Sequence, residues 1–247
     1  MKILAIGNSF STDATTFLHE IAEDMGDDLQ VVNLYIGGCS LETHWLNAQA
    51  NAPLYSYELN GHATGRMVSI KSALTECKWD IVTLHQASLL SGIEESYEPY
   101  FENMLGYVKR YAPNADIKVM QTWAFDDNCT REGFENYGRS QKVMYERLIP
   151  CYEKISKKYE LPLIRCGEAL QALRGTPRFD MSKGGETLCR DGFHMHYIYG
   201  RFLLGCIWYQ AIFNKSIKDG KFYPTIPDMP TDKEKIDFIR AFAAERM

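Results

Sequence analysis

The sequence lacks several features that would place a chain of this length in a specialised class. Its seven cysteines are odd in number, and no pair has the CxxC spacing. A disulfide framework and a zinc knuckle are therefore not indicated, and reduced thiols are expected. No apolar run is long enough to span a bilayer, so no membrane partner is expected. A strand-like run begins directly at Lys2, which predicts a cytoplasmic protein, or a secreted or periplasmic one if a leader has been removed.

An excess of basic charge is also lacking. The chain has 27 Lys and Arg against 32 Asp and Glu, a formal net charge of -5. Since phosphate binding requires a basic face, a nucleic-acid partner is not expected. The short basic pair Lys157-Lys158 is typical of a solvated helix face. Repeats and low-complexity tracts are missing too, so residues 1–247 are predicted to form a single domain, with no feature that specifies an oligomeric state.

Short apolar, β-branched runs alternate with segments of helical periodicity. Five strands are predicted at residues 2–6, 30–36, 79–84, 116–121 and 161–164. Helices are predicted at residues 16–25, 71–77, 97–111, 135–159, 197–213 and 232–246, the fourth of them broken or kinked near Pro150. This alternation predicts an α/β fold built on a doubly wound parallel sheet of about five strands.

Polar residues follow the predicted strands at the end where open parallel sheets bind ligands. The segment GNSFS (7–11) follows the first strand, and GGCS (37–40) follows the second. HQAS (85–88) follows the third strand, and RDGFHMH (190–196) precedes the last apolar helix. A hydroxyl, flexible glycines, an amide and an Asp/His pair are the parts of an acyl-transfer site.

Ser9 is the candidate nucleophile. It lies at a strand-to-helix turn, where Gly7 relieves crowding and a backbone N–H near the helix N-terminus suits a developing oxyanion. The alternative is that Ser9 only caps the helix. Ser11 or Thr12 could supply that cap and leave Ser9 free.

Asp191 and His194 are the candidate partners of Ser9. Their spacing of three lets one loop hold the carboxylate against Nδ1 of the imidazole and leave Nε2 facing a hydroxyl. An Asp at a helix start with a half-buried His nearby would give the same pattern. His196 is a rival base, and with its neighbours it could form a metal pair, but no third ligand is placed near it, so no metal is expected.

Gly38 and Gln86 could complete an oxyanion hole with Ser9. Gly38 follows the second strand, where its bare backbone N–H could approach a substrate oxygen. Gln86 ends the third strand with a donor amide. Their structural alternatives are a turn glycine and a strand-end amide that ties down a neighbouring loop.

These segments together resemble the SGNH, or GDSL-like, hydrolase superfamily. Its members are esterases, lipases, thioesterases and carbohydrate deacetylases on a flavodoxin-like, three-layer α/β/α sandwich. GNSFS resembles the block that carries the nucleophile, Gly38 resembles the oxyanion-hole glycine, and DGFH resembles the block with the triad Asp and His. More narrowly, GNSFS, WDIVTLHQAS, QTWAF and RDGFH resemble one bacterial SGNH-like family of unassigned function.

The sequence departs from the superfamily pattern at two places. Asn8 stands where many members have Asp, which should leave the nucleophile intact. HQAS replaces the usual Gly-x-Asn of the third block. Some carbohydrate esterases of the superfamily use Gln there, so Gln86 resembles the missing donor, with Ser88 as the fallback.

The resemblance implies a serine esterase that needs no cofactor and hydrolyses a small acyl ester, such as an acetyl ester, on a small molecule or carbohydrate. Candidate substrate-binding side chains are His44, Trp45, Trp123 and Arg190. Two alternatives remain. The hydroxyl-rich loop after the first strand could cradle a phosphate or flavin, as in flavodoxin-like proteins. The fold could also be a non-catalytic carbohydrate-binding relic.

Overall fold

A computed structural model describes residues 1–246 and shows a central seven-stranded sheet flanked by helices. The strands lie in the order β4-β3-β2-β1-β5-β6-β7. Their bounds are β1 Lys2–Gly7, β2 Gln30–Tyr35, β3 Tyr55–Leu59, β4 His62–Val68, β5 Ile81–Leu84, β6 Asp116–Met120 and β7 Leu163–Ile164.

The five predicted strands correspond to β1, β2, β5, β6 and β7, which all pair in parallel. Counted alone in chain order, these five have the spatial order 2-1-3-4-5, which is the flavodoxin-like order. The strand order reverses between β1 and β5. Open α/β sheets bind ligands at such a reversal, in the crevice beyond the carboxyl ends of the two strands, and Ser9 lies there after β1.

The two additional strands, β3 and β4, form an antiparallel hairpin at the edge of the sheet beside β2. The sheet is therefore mixed and larger than the predicted sheet of about five parallel strands. Only Val68 of β4 is buried, so the strand carries no hydrophobic alternation to identify it. Two signals were available: the apolar-polar alternation of YSYEL in β3, and the Asn60-Gly61 turn, where both residues have positive φ as a tight hairpin requires.

Nine α-helices occur in residues 1–246. Their bounds are α1 Ser9–Thr15, α2 Leu18–Asp24, α3 Leu41–Ala50, α4 Ile70–Leu74, α5 Tyr100–Tyr111, α6 Gln141–Tyr159, α7 Cys166–Arg174, α8 Tyr199–Phe213 and α9 Lys233–Ala244. Helices α1, α3 and α7 were not predicted, and the helix predicted at residues 16–25 corresponds to α2. Helix α6 continues through Pro150 without a break.

Helix α8 is the centre of one helical layer. It is buried on nearly its whole circumference and packs against α1, α2, α7 and α9. Helices α3, α4 and α5 pack against one another as a second group. Although α8 is apolar, no helix among residues 1–246 combines the length and hydrophobicity needed to cross a membrane. The packing of α1 against α8 fixes the helix that begins with Ser9.

Candidate active site

Ser9 is the first residue of α1, immediately after the turn from β1. The turn is tight because Gly7 has no side chain. A Cβ at Gly7 would lie 2.1 Å from the Ser11 hydroxyl and 2.4 Å from Cε1 of His85. Only glycine fits at this close approach of backbone and side chains, as the crowding argument from sequence predicts.

Asn8 is the N-cap of α1, a position that the sequence suggested for Ser11 or Thr12. Ser11 completes the capping box, because its hydroxyl accepts from the backbone N–H of Asn8 at 3.0 Å. Oδ1 of Asn8 accepts from the backbone N–H of Phe10 at 3.0 Å, and Nδ2 donates to the carbonyl of Cys39 at 3.0 Å. The same Oδ1 lies 3.2 Å from Nε2 of the buried His85. Asn8 thus joins the loops after β1, β2 and β5, and the hydroxyl of Ser9 is not needed as a cap.

Ser9, His194 and Asp191 form a chain of hydrogen bonds. Nε2 of His194 lies 2.9 Å from Oγ of Ser9, and Nδ1 of His194 lies 2.7 Å from Oδ2 of Asp191. The other carboxylate oxygen, Oδ1, accepts from the backbone N–H of His194 at 2.8 Å. This is the arrangement in which an imidazole can take a proton from a serine hydroxyl while a carboxylate fixes its tautomer.

The carboxylate of Asp191 is held in its ionised form. Partial burial raises its pKa, but hydrogen bonds from the His194 side chain and from the backbone N–H groups of His194 and Phe193 outweigh that effect. The net result is a pKa below the ordinary value for an aspartate. An ionised Asp191 is what stabilises the positive charge that develops on His194 during proton transfer.

The rival base, His196, points elsewhere. Its Nδ1 accepts from the backbone N–H of Ile198 at 3.2 Å, and its ring stacks on that of Tyr199. His196 therefore supports the start of α8. His194 is the imidazole that faces Ser9. Residues 1–246 contain no group of three or more His, Cys, Asp or Glu side chains placed to hold a metal ion.

Two backbone donors face no protein acceptor. The N–H groups of Ser9 and Gly38 take part in no hydrogen bond within residues 1–246. Gly38 has a φ of 65°, in the left-handed region that favours glycine, and its neighbour Cys39 is tied to Asn8 beside Ser9. The sequence predicts two of the oxyanion contacts at these free N–H groups.

Gln86 is not available as the third donor, and that prediction is corrected. Its Oε1 accepts from the backbone N–H groups of Leu41 at 3.0 Å and Ala87 at 2.8 Å. Its Nε2 donates to the carbonyl of Ser96 at 2.8 Å and lies 3.1 Å from the Ser96 hydroxyl. The fully buried amide ties three loops together. The fallback, Ser88, is nearly buried, and its hydroxyl has no partner within residues 1–246.

Residues 2–236 match the family defined as "Domain of unknown function (DUF4886)". The chain belongs to the DUF4886 family. A DUF4886 family protein from Bacteroides uniformis, of known crystal structure, is 32% identical in sequence to this chain. The match covers 99% of this chain and 93% of that protein's chain, with a TM-score of 0.89. No match was found among the curated proteins.

More distant solved structures share the fold of this DUF4886 chain. A candidate SGNH hydrolase from Slackia heliotrinireducens is 20% identical, covering 86% of this chain and 98% of its own, with a TM-score of 0.59. A mutant of Axe2, an acetyl-xylooligosaccharide esterase from Geobacillus, is 13% identical, covering 91% and 97%, with a TM-score of 0.52. The chain therefore has the SGNH/GDSL-type α/β/α fold that the resemblance implies, and the predicted family of unassigned function is DUF4886.

The predicted substrate-binding residues of the DUF4886 chain differ in burial. His44 is fully buried, with Nδ1 2.9 Å from the Tyr55 hydroxyl, so that prediction is corrected. Trp45 is partly buried and meets Tyr107 edge-on between α3 and α5. Its contact with a substrate stays a prediction.

Trp123 and Arg190 support the loop that carries His194. The buried ring of Trp123 stacks on Phe10, and its Nε1 donates to the carbonyl of Phe193 at 2.8 Å. Nη1 of Arg190 lies 3.0 Å from Oδ1 of the buried Asp13. The prediction for Trp123 is corrected, because its ring is fully buried and its only donor is engaged. Arg190 is held by Asp13 but is 20% exposed, so its contact with a substrate stays a prediction.

One residue beside the crevice was missed by sequence reasoning. Arg131 lies in the irregular segment after β6, which has no periodicity to mark it. Its guanidinium carbon is 4.5 Å from the centroid of the Phe193 ring, next to His194. A single arginine in a loop gives no signal in the sequence, and only the fold brings it to this site.

Proposed function

We propose that this chain is a serine esterase that hydrolyses a small acyl ester through an acyl-enzyme. The observation that carries the proposal is the continuous contact from Asp191 through His194 to the hydroxyl of Ser9. The free N–H groups of Ser9 and Gly38 beside it support the proposal, because an acyl-transfer site needs donors for the developing oxyanion.

In the first step, Oγ of Ser9 attacks the ester carbonyl while Nε2 of His194 takes the hydroxyl proton. The carbonyl π electrons move to the oxygen, which becomes an oxyanion held by the two backbone N–H groups. Each such donor contributes on the order of 3 kcal/mol to lowering the barrier. When the tetrahedral intermediate collapses, His194 returns the proton to the leaving alcohol.

Water then repeats the sequence on the acyl-enzyme and releases the acid. His194 acts as base toward water and returns the proton to Oγ of Ser9. Asp191, ionised at neutral pH, holds Nδ1 of His194 in place through both steps. An acetyl group on a carbohydrate is the first substrate to test, since one protein of the same fold is an acetyl-xylooligosaccharide esterase.

The phosphate- or flavin-binding alternative finds less support in the loop after β1. The Ser11 hydroxyl lies 2.6 Å from Oδ1 of Asn33, and the Thr12 hydroxyl donates to the Glu58 carboxylate at 2.9 Å. A phosphate in this loop would find these hydroxyls engaged and a carboxyl group beside it. The esterase proposal instead gives Ser9, His194 and Asp191 a joint role.

A fluorophosphonate probe tests the nucleophile. We expect it to label Ser9 in the folded protein, and we expect no labelling of Ser9→Ala or of the urea-unfolded chain. A panel of p-nitrophenyl esters and acetylated sugars then identifies the acyl group and alcohol, with Ser9→Ala as the control. Labelling of Ser11, Ser40 or Ser88 in place of Ser9 would refute the assignment.

A further inference from the structure

Gln86 follows β5, but its amide is engaged with protein partners and gives the crevice no free side-chain donor. A segment from the loop after β6 lies over this turn. Residues 126–139, after β6, contact the turn that follows β5. The hydroxyl of Tyr137 donates to the carbonyl of Leu89 at 2.9 Å. A Cβ on Gly133 would lie 3.2 Å from Cδ1 of Leu89. Side chains that project from this segment toward the crevice can therefore take the place that a donor on β5 would have.

Arg131 is the side chain of this segment that reaches the crevice. Its Nη2 lies 3.7 Å from the position that a Cβ on Gly38 would occupy. Its guanidinium carbon stacks at 4.5 Å over the ring of Phe193, and that ring centroid is 4.0 Å from the centroid of His194. The guanidinium thus lies between the glycine with a free N–H and the loop that carries the imidazole.

The charge of Arg131 has no counter-ion in the part of the chain that the structure describes. Arg131 takes part in no ion pair among residues 1–246, and its Nε is buried without a hydrogen-bond partner. By contrast, the nearby Arg190 and Arg174 are both paired with buried aspartates. The face of the Phe193 ring stabilises this partly buried cation but supplies no negative charge. Negative charge that arises beside the guanidinium during the reaction would complete its compensation.

We infer that Arg131 is a catalytic residue that donates to the oxyanion formed at the ester carbonyl, in place of the side-chain donor missing from β5. The inference rests on the esterase function proposed above. Arg131 takes no proton in this step. As the bond from Ser9 Oγ to the carbonyl carbon forms and the proton passes to His194, the carbonyl electrons move to oxygen beside the guanidinium. A charge-assisted hydrogen bond is roughly twice as strong as a neutral one, so one such donor is worth as much as a backbone N–H or more.

The test is the rate at which an uncharged fluorophosphonate labels Ser9, because the phosphoryl oxygen occupies the place of the carbonyl oxygen and no natural substrate is needed. We expect Arg131→Gln to slow labelling on the order of 100-fold, and Arg131→Lys, which keeps the charge, to recover part of that loss. For p-nitrophenyl acetate, we expect kcat to fall by a similar factor with KM nearly unchanged. Because Arg131 has no ion pair to lose, the melting temperature should stay close to that of the wild type.

Arg110→Gln is the matched control, since it removes the same charge from the exposed last turn of α5, at the opposite end of the sheet from the crevice. Unchanged labelling by Arg131→Gln would overturn the inference while leaving the esterase proposal intact. A loss confined to esters that carry an anionic group would also overturn it and assign Arg131 to substrate binding. Failure of the wild-type protein to label at Ser9 would overturn the esterase proposal and this inference together.

Discussion

Asp13 is a buried anchor for the loop that presents His194, and its replacement by asparagine is expected to affect both stability and reactivity. The carboxylate is fully buried on α1. It accepts from the backbone N–H of Met195 at 2.8 Å and from Nε of Arg201 at 2.8 Å, and it pairs with Arg190 at 3.0 Å. Met195 directly follows His194, so the imidazole is held one residue away from this anchor.

The expected cost follows from what Asp13→Asn leaves behind. Removing one partner of a buried ion pair typically costs about 3–5 kcal/mol, because a charge stays buried without compensation. The side chains of Arg190 and Arg201 are 20% and 15% exposed, so water can reach both in part. Asparagine also keeps one acceptor oxygen. We therefore expect a loss at the lower end of that range, about 3 kcal/mol.

Urea unfolding followed by tryptophan fluorescence measures this loss, and the fluorophosphonate labelling rate of Ser9 measures the effect on His194. We expect slower labelling even under conditions where the variant is folded, because the loop loses an anchor beside the imidazole. Asp27→Asn is the control. It removes a carboxylate paired with the half-exposed Lys215 at 2.6 Å, an ion pair expected to contribute about 1 kcal/mol or less.

Two results would refute the reasoning about Asp13. One is a loss of unfolding free energy no larger than that of the Asp27→Asn control. The other is a Ser9 labelling rate equal to that of the wild type, which would show that the position of His194 does not depend on this anchor.

Three further substitutions or conditions test other parts of the site. Gln86→Ala should lower the melting temperature by about 5–10 °C, because it leaves buried backbone groups unpaired, and kcat should change little. A large loss of kcat at unchanged stability would return Gln86 to the oxyanion hole. Gly7→Ala should destabilise the fold and slow Ser9 labelling, because the alanine methyl group would lie 2.1 Å from the Ser11 hydroxyl. Normal labelling and stability would show that the turn adapts. Burial lowers the pKa of His85 and, with a further effect from His85, that of His44, each to about 3. Both therefore bind protons on unfolding, so the unfolding free energy should fall as pH drops below about 6.5, by on the order of 2 kcal/mol per histidine at pH 5. Urea unfolding at pH 7.5 and pH 5 measures this, and equal stability at the two values would contradict it.

The sequence by itself determined the parallel core of the sheet and the three residues now in contact. Strands such as β1 are buried on both faces, so they appear as continuous β-branched runs that local composition reveals. Ser9 directly follows such a strand, and Asp191 and His194 lie within one short loop. Their contact then needs only the rule that the carboxyl ends of parallel strands share one edge. The exposed strand β4 escaped prediction because exposed residues impose no pattern on the chain, whereas the alternation of YSYEL in β3 was a signal that the prediction missed.

Tertiary structure alone decided the roles of the remaining polar and aromatic residues. A strand-end amide, a loop arginine or a tryptophan has the same appearance in sequence whether it faces substrate or protein. What differs is whether another part of the chain satisfies its hydrogen bonds or covers its surface. Gln86 and Arg190 hydrogen-bond to groups far away in sequence. Arg131 instead stacks on Phe193 beside the crevice and has no ion pair among residues 1–246. These pairings depend on long-range contacts that no local pattern contains.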